Sequence, residues 1–155
     1  MPSVVLGQAV PDFEAAATGE QTFRLSDYRG RNLVIYFYPK DNTPGCTTEG
    51  QDFRDRMPEF DKLNTTILGV SRDGLKAHEN FRAKHEFSFH LISDKDEAVC
   101  KLFDVIKLKK LYGKEYLGVD RSTFLIDADG KLRREWRGVK VKGHADEVLE
   151  AARAL

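Results

Sequence analysis

Leu33–Tyr38 (LVIYFY) is an unbroken run of aliphatic, β-branched and aromatic residues that stops at Pro39. The run is too short for an ordinary helix and lacks the polar alternation of a half-wet strand, so it predicts a central strand buried on both faces. Such a strand needs partners in a sheet and a covering layer on each side. The remaining sequence supplies both. Thr66–Ser71 (TILGVS) reads as a second buried strand, His90–Ser93 as a short third and Ser122–Asp127 (STFLID) as a fourth. Asp127–Gly130 (DADG) makes a hairpin turn into a strand over Lys131–Trp136. Helical patterns run through the segment after Cys46 until Pro58 bends or breaks it, through Leu75–His85, around Glu97–Phe103 and over Ala145–Ala154.

Strands alternating with helices, closed by an antiparallel hairpin and a last helix, predict an α/β sandwich around a mixed central sheet. The first thirty residues hold turn signals (Gly7, Pro11, Gly19, Gly30) around short segments such as Thr22–Leu25, an N-terminal extension to that sandwich. Lys107–Gly118 is polar and its period is ambiguous. With 155 residues and no repeat, low-complexity tract or linker, a single domain over residues 1–155 is expected.

Lysine plus arginine balances aspartate plus glutamate at 25 each. That balance argues against nucleic acid as a partner, and no basic amphipathic helix argues for a membrane surface. The locally basic stretches 107–114 and 131–142 are expected to be solvated faces. No apolar run approaches the ~18 residues of a membrane span. The start, MPSVVLGQAVPDF, has neither a basic n-region nor a long apolar stretch, so a signal peptide is not expected. Cys46 and Cys100 are too few for a disulfide framework, and a cytoplasmic protein with free thiols is the expectation.

Cys46 stands just after the central strand, in the loop PKDNTPGC that enters a helix. Sites in α/β sheets gather at the carboxyl ends of strands. A thiol in the first turn of a helix faces unpaired N–H groups and the positive end of the helix dipole, and both favour the nucleophilic thiolate. Lys40 adds a little positive potential, while Asp41 opposes it. The spacing lets the Thr43 hydroxyl fold back toward the sulfur, and Pro39 and Pro44 stiffen the loop. A plainer reading stays open on these residues alone, with Cys46 a small buried hydrophobe and Thr43 a helix cap.

Pro39-Lys-Asp-Asn-Thr43-Pro-Gly-Cys46 resembles the P-x-x-x-T-x-x-C signature of the peroxiredoxins, and YFYPKDNTPGCTTE resembles their bacterioferritin-comigratory (Q-type) branch. The agreement extends through GQAVPDF, FRLSDYRG, LGVSRD, FHLISDKD and GVDRSTFLIDADGK. The resemblance implies a thioredoxin-like fold, which fits the order of elements, and a thiol-dependent peroxidase that needs no cofactor. It makes Cys46 the peroxidatic cysteine, Thr43 its hydroxyl partner, Arg121 the active-site arginine and Pro39 the residue that shields the sulfur. Glu49 matches the family's C-T-x-E; either it orients Arg121 or the loop, or it merely favours the helix N-terminus, and both readings stand.

The chain departs from the family where the second thiol belongs. Relatives carry a resolving cysteine five residues after the first, or in the following helix; here those positions are Gln51 and Arg82. Cys100 remains, but Ala98, Val99, Leu102 and Phe103 around it read as an apolar helix face, so a buried inert thiol is expected and resolution by Cys100 is the alternative. The resemblance therefore implies a one-cysteine variant whose sulfenic acid is reduced by thioredoxin or by glutaredoxin with glutathione, working as a monomer or weak homodimer. A disulfide oxidoreductase of the same fold would want C-x-x-C, whereas Glu49 stands three residues after Cys46. A redox sensor read by a partner is the alternative outside enzymes. Metal binding is not expected: His78 and His85 share a helix face, but neighbouring sequence offers no third ligand. Asp127-Ala-Asp129-Gly130 lacks the acidic continuation of a calcium loop. Tyr36, Phe37 and Tyr38 alternate at strand period, and some are expected to line the mouth of the site.

Overall fold

The structure, a computed structural model, describes residues 4–155. In chain order the elements are β1 (Glu14–Ala17), β2 (Gln21–Arg24), β3 (Asn32–Phe37), α1 (Pro44–Asp55), α2 (Met57–Lys62), β4 (Thr65–Ser71), α3 (Leu75–Lys84), β5 (His90–Ser93), α4 (Ala98–Leu102), β6 (Ile106–Leu111), β7 (Lys114–Val119), β8 (Ser122–Ile126), β9 (Leu132–Trp136) and α5 (His144–Arg153). Seven strands form one mixed sheet in the order β2-β1-β5-β4-β3-β8-β9. β3, β4 and β5 run parallel, joined by helical crossovers because parallel neighbours cannot be linked by a tight turn. β8 and β9 extend the sheet antiparallel on one side, and the β1–β2 hairpin closes the other against β5. This is the thioredoxin-like α/β arrangement with an N-terminal extension.

The central run behaves as its composition requires. Leu33, Ile35 and Phe37 point to one face, where Val70, Ile92, Phe103 and Phe124 meet them. Val34, Tyr36 and Tyr38 point to the other, among Phe53, Phe60, Phe81, Leu91 and Val148. Helices α1, α2, α3 and α5 thus cover one face, while α4 and the N-terminal segment cover its opposite. Each layer is buried and aromatic-rich, as when Tyr36 stacks on Phe53 with centroids 4.8 Å apart.

Two segments are made definite by the structure: the break expected at Pro58 and the ambiguous stretch at 107–118. The helix after Cys46 ends at Asp55, ahead of Pro58, which lies in the first turn of α2. Proline would clash with the carbonyl four residues back inside a helix, whereas its missing N–H costs nothing in a first turn. The ambiguous 107–118 segment is a separate two-stranded ribbon, β6–β7, turned by Tyr112 and Gly113 at φ of 52° and 76°. Leu108 and Leu117 oppose each other on it at 60 % and 62 % exposure, so no buried face imposes a period on the sequence. The Asp127–Gly130 turn is as expected: the Asp127 carboxylate accepts the N–H groups of Asp129 and Lys131, both at 3.0 Å.

Candidate active site

Cys46 lies in the first turn of α1, behind Pro44 and Gly45. The first intrahelical bond is from Thr47 N–H to the Thr43 carbonyl at 2.9 Å, so the N–H groups of Gly45 and Cys46 precede the ladder. The cysteine is 1 % exposed and sits in the layer of Tyr36, Tyr38 and Phe53. Arg121 comes from the short link between β7 and β8. Its Nη2 donates to Cys46 Sγ at 3.4 Å and its Nη1 to Glu49 Oε1 at 2.6 Å. Glu49 is one turn beyond Cys46 on the same helix face, which lets one planar guanidinium span both. Gly45 allows the approach: a Cβ there would stand 3.3 Å from Arg121 Nη2.

The electrostatics follow from burial. Burial lifts the Glu49 carboxyl to about 7, although Arg121 pulls it down. Burial also works against the Arg121 charge, but Glu49 and Cys46 outweigh it and hold the guanidinium above its usual range. The Tyr36 hydroxyl is pushed well up by burial, and by Glu49 and Cys46 beyond that. Among the described residues, Tyr36 Oη and Glu49 Oε2 are the buried side-chain polar atoms with no hydrogen-bond partner.

Several expected residues are placed differently. Cys46, Arg121 and Glu49 converge; of the two readings of Glu49, the geometry favours the one in which it orients Arg121. The Thr43 hydroxyl donates to the Lys40 carbonyl at 2.8 Å instead of folding back to the sulfur, because that carbonyl closes a turn three residues earlier. Pro39 is half-buried at the end of the central strand. Asp41 turns inward: its carboxylate accepts from Tyr38 Oη at 2.6 Å and meets His78 Nδ1 at 2.7 Å. Tyr36, Phe37 and Tyr38 are fully buried, so none lines an open mouth, and Phe37 faces the opposite layer. Cys100 is buried in that opposite layer, its thiol pushed far up by burial and by Asp94, whose carboxylate accepts the Cys100 N–H at 2.7 Å. Gln51 reaches His85 at 3.5 Å, and Arg82 donates to the Phe89 carbonyl at 2.9 Å.

The missed feature is the surroundings of His78. Asp41 and Asp73 supply two further carboxylates within 4.8 Å, a cluster hidden from local sequence because its members come from two different loops and a helix. Asp73 Oδ2 accepts the Asp41 N–H at 2.9 Å and the Ser71 hydroxyl at 2.5 Å.

A buried cysteine at a helix start, with an arginine on its sulfur and a carboxylate behind the arginine, is a constellation suited to thiolate chemistry. The model of the AhpC/TSA family matches residues 6–135. Peroxiredoxin Bcp of Xanthomonas campestris is 55 % identical over 96 % of the chain and 93 % of its own length. Peroxiredoxin Bcp of Bacillus subtilis is 49 % identical over 99 % and 98 %. A structure of Xanthomonas campestris peroxiredoxin Q superposes with a TM-score of 0.90 at 54 % identity, covering 97 % of this chain and 96 % of that one. Other structures of the Xanthomonas protein concern its alkyl peroxide reduction activity or carry serine in place of cysteines 36 positions apart. The chain therefore belongs to the AhpC/TSA family of peroxiredoxins. Its place in that family is with the Bcp, or Q-type, group, and it is a thiol-dependent peroxidase.

Proposed function

We propose that this enzyme reduces hydrogen peroxide and alkyl hydroperoxides through Cys46 as its one redox-cycling cysteine, and that a thiol from outside the chain restores it. The observation that carries the reading is the bridge from Glu49 through Arg121 to the Cys46 sulfur. The Cys46 thiolate attacks one peroxide oxygen in line; the S–O bond forms, the O–O bond breaks, and hydroxide or alkoxide leaves and takes up a proton. Charge spreads along the S–O–O axis, so donors already aimed at it stabilise the transition state more than the ground state. Arg121 and the free N–H groups of Gly45 and Cys46 are those donors. The Thr43 hydroxyl donates to the Lys40 carbonyl, which leaves its oxygen to accept from the peroxide O–H. Pro39, with no N–H of its own, shields the sulfur and fixes the loop.

The product is a sulfenic acid. An external thiol attacks its sulfur, water leaves, and a second thiol releases Cys46 and the external disulfide. Two features support an external resolver. In the Xanthomonas protein the two replaced cysteines are 36 positions apart, and 36 residues after Cys46 stands Arg82. Cys100, meanwhile, lies across the sheet with a thiol that burial keeps protonated. Thioredoxin and glutaredoxin with glutathione fit as reductants, and the enzyme acts as a monomer or weak homodimer, one domain over residues 1–155, in the cytoplasm, where free thiols persist. Among the described residues no helix is long and apolar enough to cross a membrane.

The test is peroxide consumption coupled to each reductant system. Cys46→Ser should abolish turnover, whereas Cys100→Ser should keep it within about twofold, as for a residue outside the chemistry. A Cys100→Ser enzyme that stops after one turnover would overturn the external-resolver reading.

A further inference from the structure

Asp41 is the negative charge nearest in sequence to the reactive thiol on its N-terminal side, and an unmatched carboxylate there would oppose the thiolate. The fold removes it from the site. Asp41 is 7 % exposed and His78 is 0 % exposed. His78 Nε2 must carry a proton, because its partner at 2.9 Å is the Ile92 carbonyl, which can only accept. The 2.7 Å contact between His78 Nδ1 and Asp41 Oδ2 then holds a second proton, whether as imidazolium with carboxylate or as imidazole with carboxylic acid. In both forms the pair carries no net charge.

The same pair is a tether. Asp41 Oδ1 accepts from Tyr38 at the end of the central strand, its N–H donates to Asp73 ahead of α3, and His78 joins it to α3 and, through Ile92, to β5. Asn42, next in the chain, turns in the left-handed region at φ 63°, and Thr43 closes back on Lys40. The loop that delivers Cys46 to Arg121 is thus anchored at one buried carboxylate.

We propose that His78 is a positioning residue for Cys46: by neutralising and fixing Asp41 it sets the loop and keeps the Asp41 charge from the thiolate. It touches neither peroxide nor sulfur and acts through Asp41. The titratable and charged groups around the pair are Tyr38 and Asp73, with Ser71 bonded to Asp73; Tyr36 and Cys46 lie beyond in the same layer, and Glu49, Arg121 and Asp41 all act on the Tyr36 hydroxyl.

The deciding variants separate charge from packing. In Asp41→Asn the amide donates to neutral His78 Nδ1 and its oxygen still accepts from Tyr38, so the tether survives without charge and Cys46 should react within about threefold of wild type. His78→Phe strands the Asp41 charge. Oxidation of Cys46 by peroxide, followed in single turnover, should slow by roughly tenfold to a hundredfold, and the pH midpoint of Cys46 alkylation should move upward. Adding Asp41→Asn to His78→Phe should bring that midpoint back. If His78→Phe does not fold, His78→Gln carries the same test, since it can donate to Asp41 but cannot offset its charge. An unmoved midpoint and rate in a folded His78 variant, or a defect equally large after Asp41→Asn is added, would overturn the proposal in favour of simple packing.

Discussion

Arg121 joins two groups of opposite character, the Cys46 sulfur, proposed as the reacting atom, and the buried Glu49 carboxylate. Glu49 is costly where it sits, since a buried carboxyl is lifted toward the neutral form and one of its oxygens has no partner. In the proposed mechanism its part is to orient Arg121, to which it is bonded at 2.6 Å. Glu49→Gln should therefore slow the first step roughly tenfold by loosening that guanidinium, read as single-turnover oxidation of Cys46. Stability should move the other way. A carboxyl raised to about 7 from 4.5 binds its proton more tightly folded than unfolded, so its contribution is present below about 4.5 and lost as pH rises through about 7. A tenfold difference in proton affinity between the two states is worth ~1.4 kcal/mol, and 1 kcal/mol is ~2–4 °C of Tm at this size. Melting of Glu49→Gln and wild type at pH 5 and pH 8 should show the variant gaining several degrees relative to wild type at the higher pH.

At the scale of elements, α5 supplies the opposite dependence. His144 begins that helix, its Nε2 paired with Thr123 Oγ1 at 2.8 Å and its ring edge-on to Phe53 and Trp136. Burial, with Arg121 adding to it, drives the imidazole down to about 4 from 6.5. A depressed folded-state value means the unfolded chain binds the proton first, so stability is full above about 6.5 and drains as pH falls toward about 4. His144→Gln keeps a polar group for Thr123 and does not titrate there. Its Tm should fall less than that of wild type between pH 7 and pH 4.5, and an equal fall would remove His144 as the cause. The β6–β7 ribbon shows the other side of element formation: local turn chemistry at Tyr112-Gly113 builds it, without the buried face that makes strands visible in sequence.

For the molecule as a whole, the seven-stranded sheet is a wall with one cysteine on each side. Cys46 packs with the helices of one layer and Cys100 with the other. One equivalent of peroxide should therefore add a single oxygen to Cys46 in intact-protein mass spectra, with both cysteines of each chain still outside any intramolecular disulfide. Loss of two hydrogens, with Cys46 and Cys100 joined in one peptide, would require the sheet to open and would refute the layered picture.

Much of this is legible in the sequence. The strand at Leu33–Tyr38 and the turn at Asp127–Gly130 follow from runs and spacings of near neighbours, and the proposed roles of Cys46, Arg121 and Pro39 rest on a motif whose residues are legible in the sequence. So does the absence of a thiol at 51 and 82. What sequence alone leaves undecided concerns groups that meet across the fold. Glu49 has two readings until Arg121, 72 residues away, is found on its carboxylate. Asp41 reads as a charge against the thiolate, but 37 residues on, His78 takes it inside. For Cys100 the sequence leads to the expectation of a buried thiol, and only the packing places the sheet between it and Cys46. The physical reason is the same in each case: local pattern determines which face a residue prefers and how the backbone turns, while charge pairing and reach depend on distances through space that only the packed chain defines.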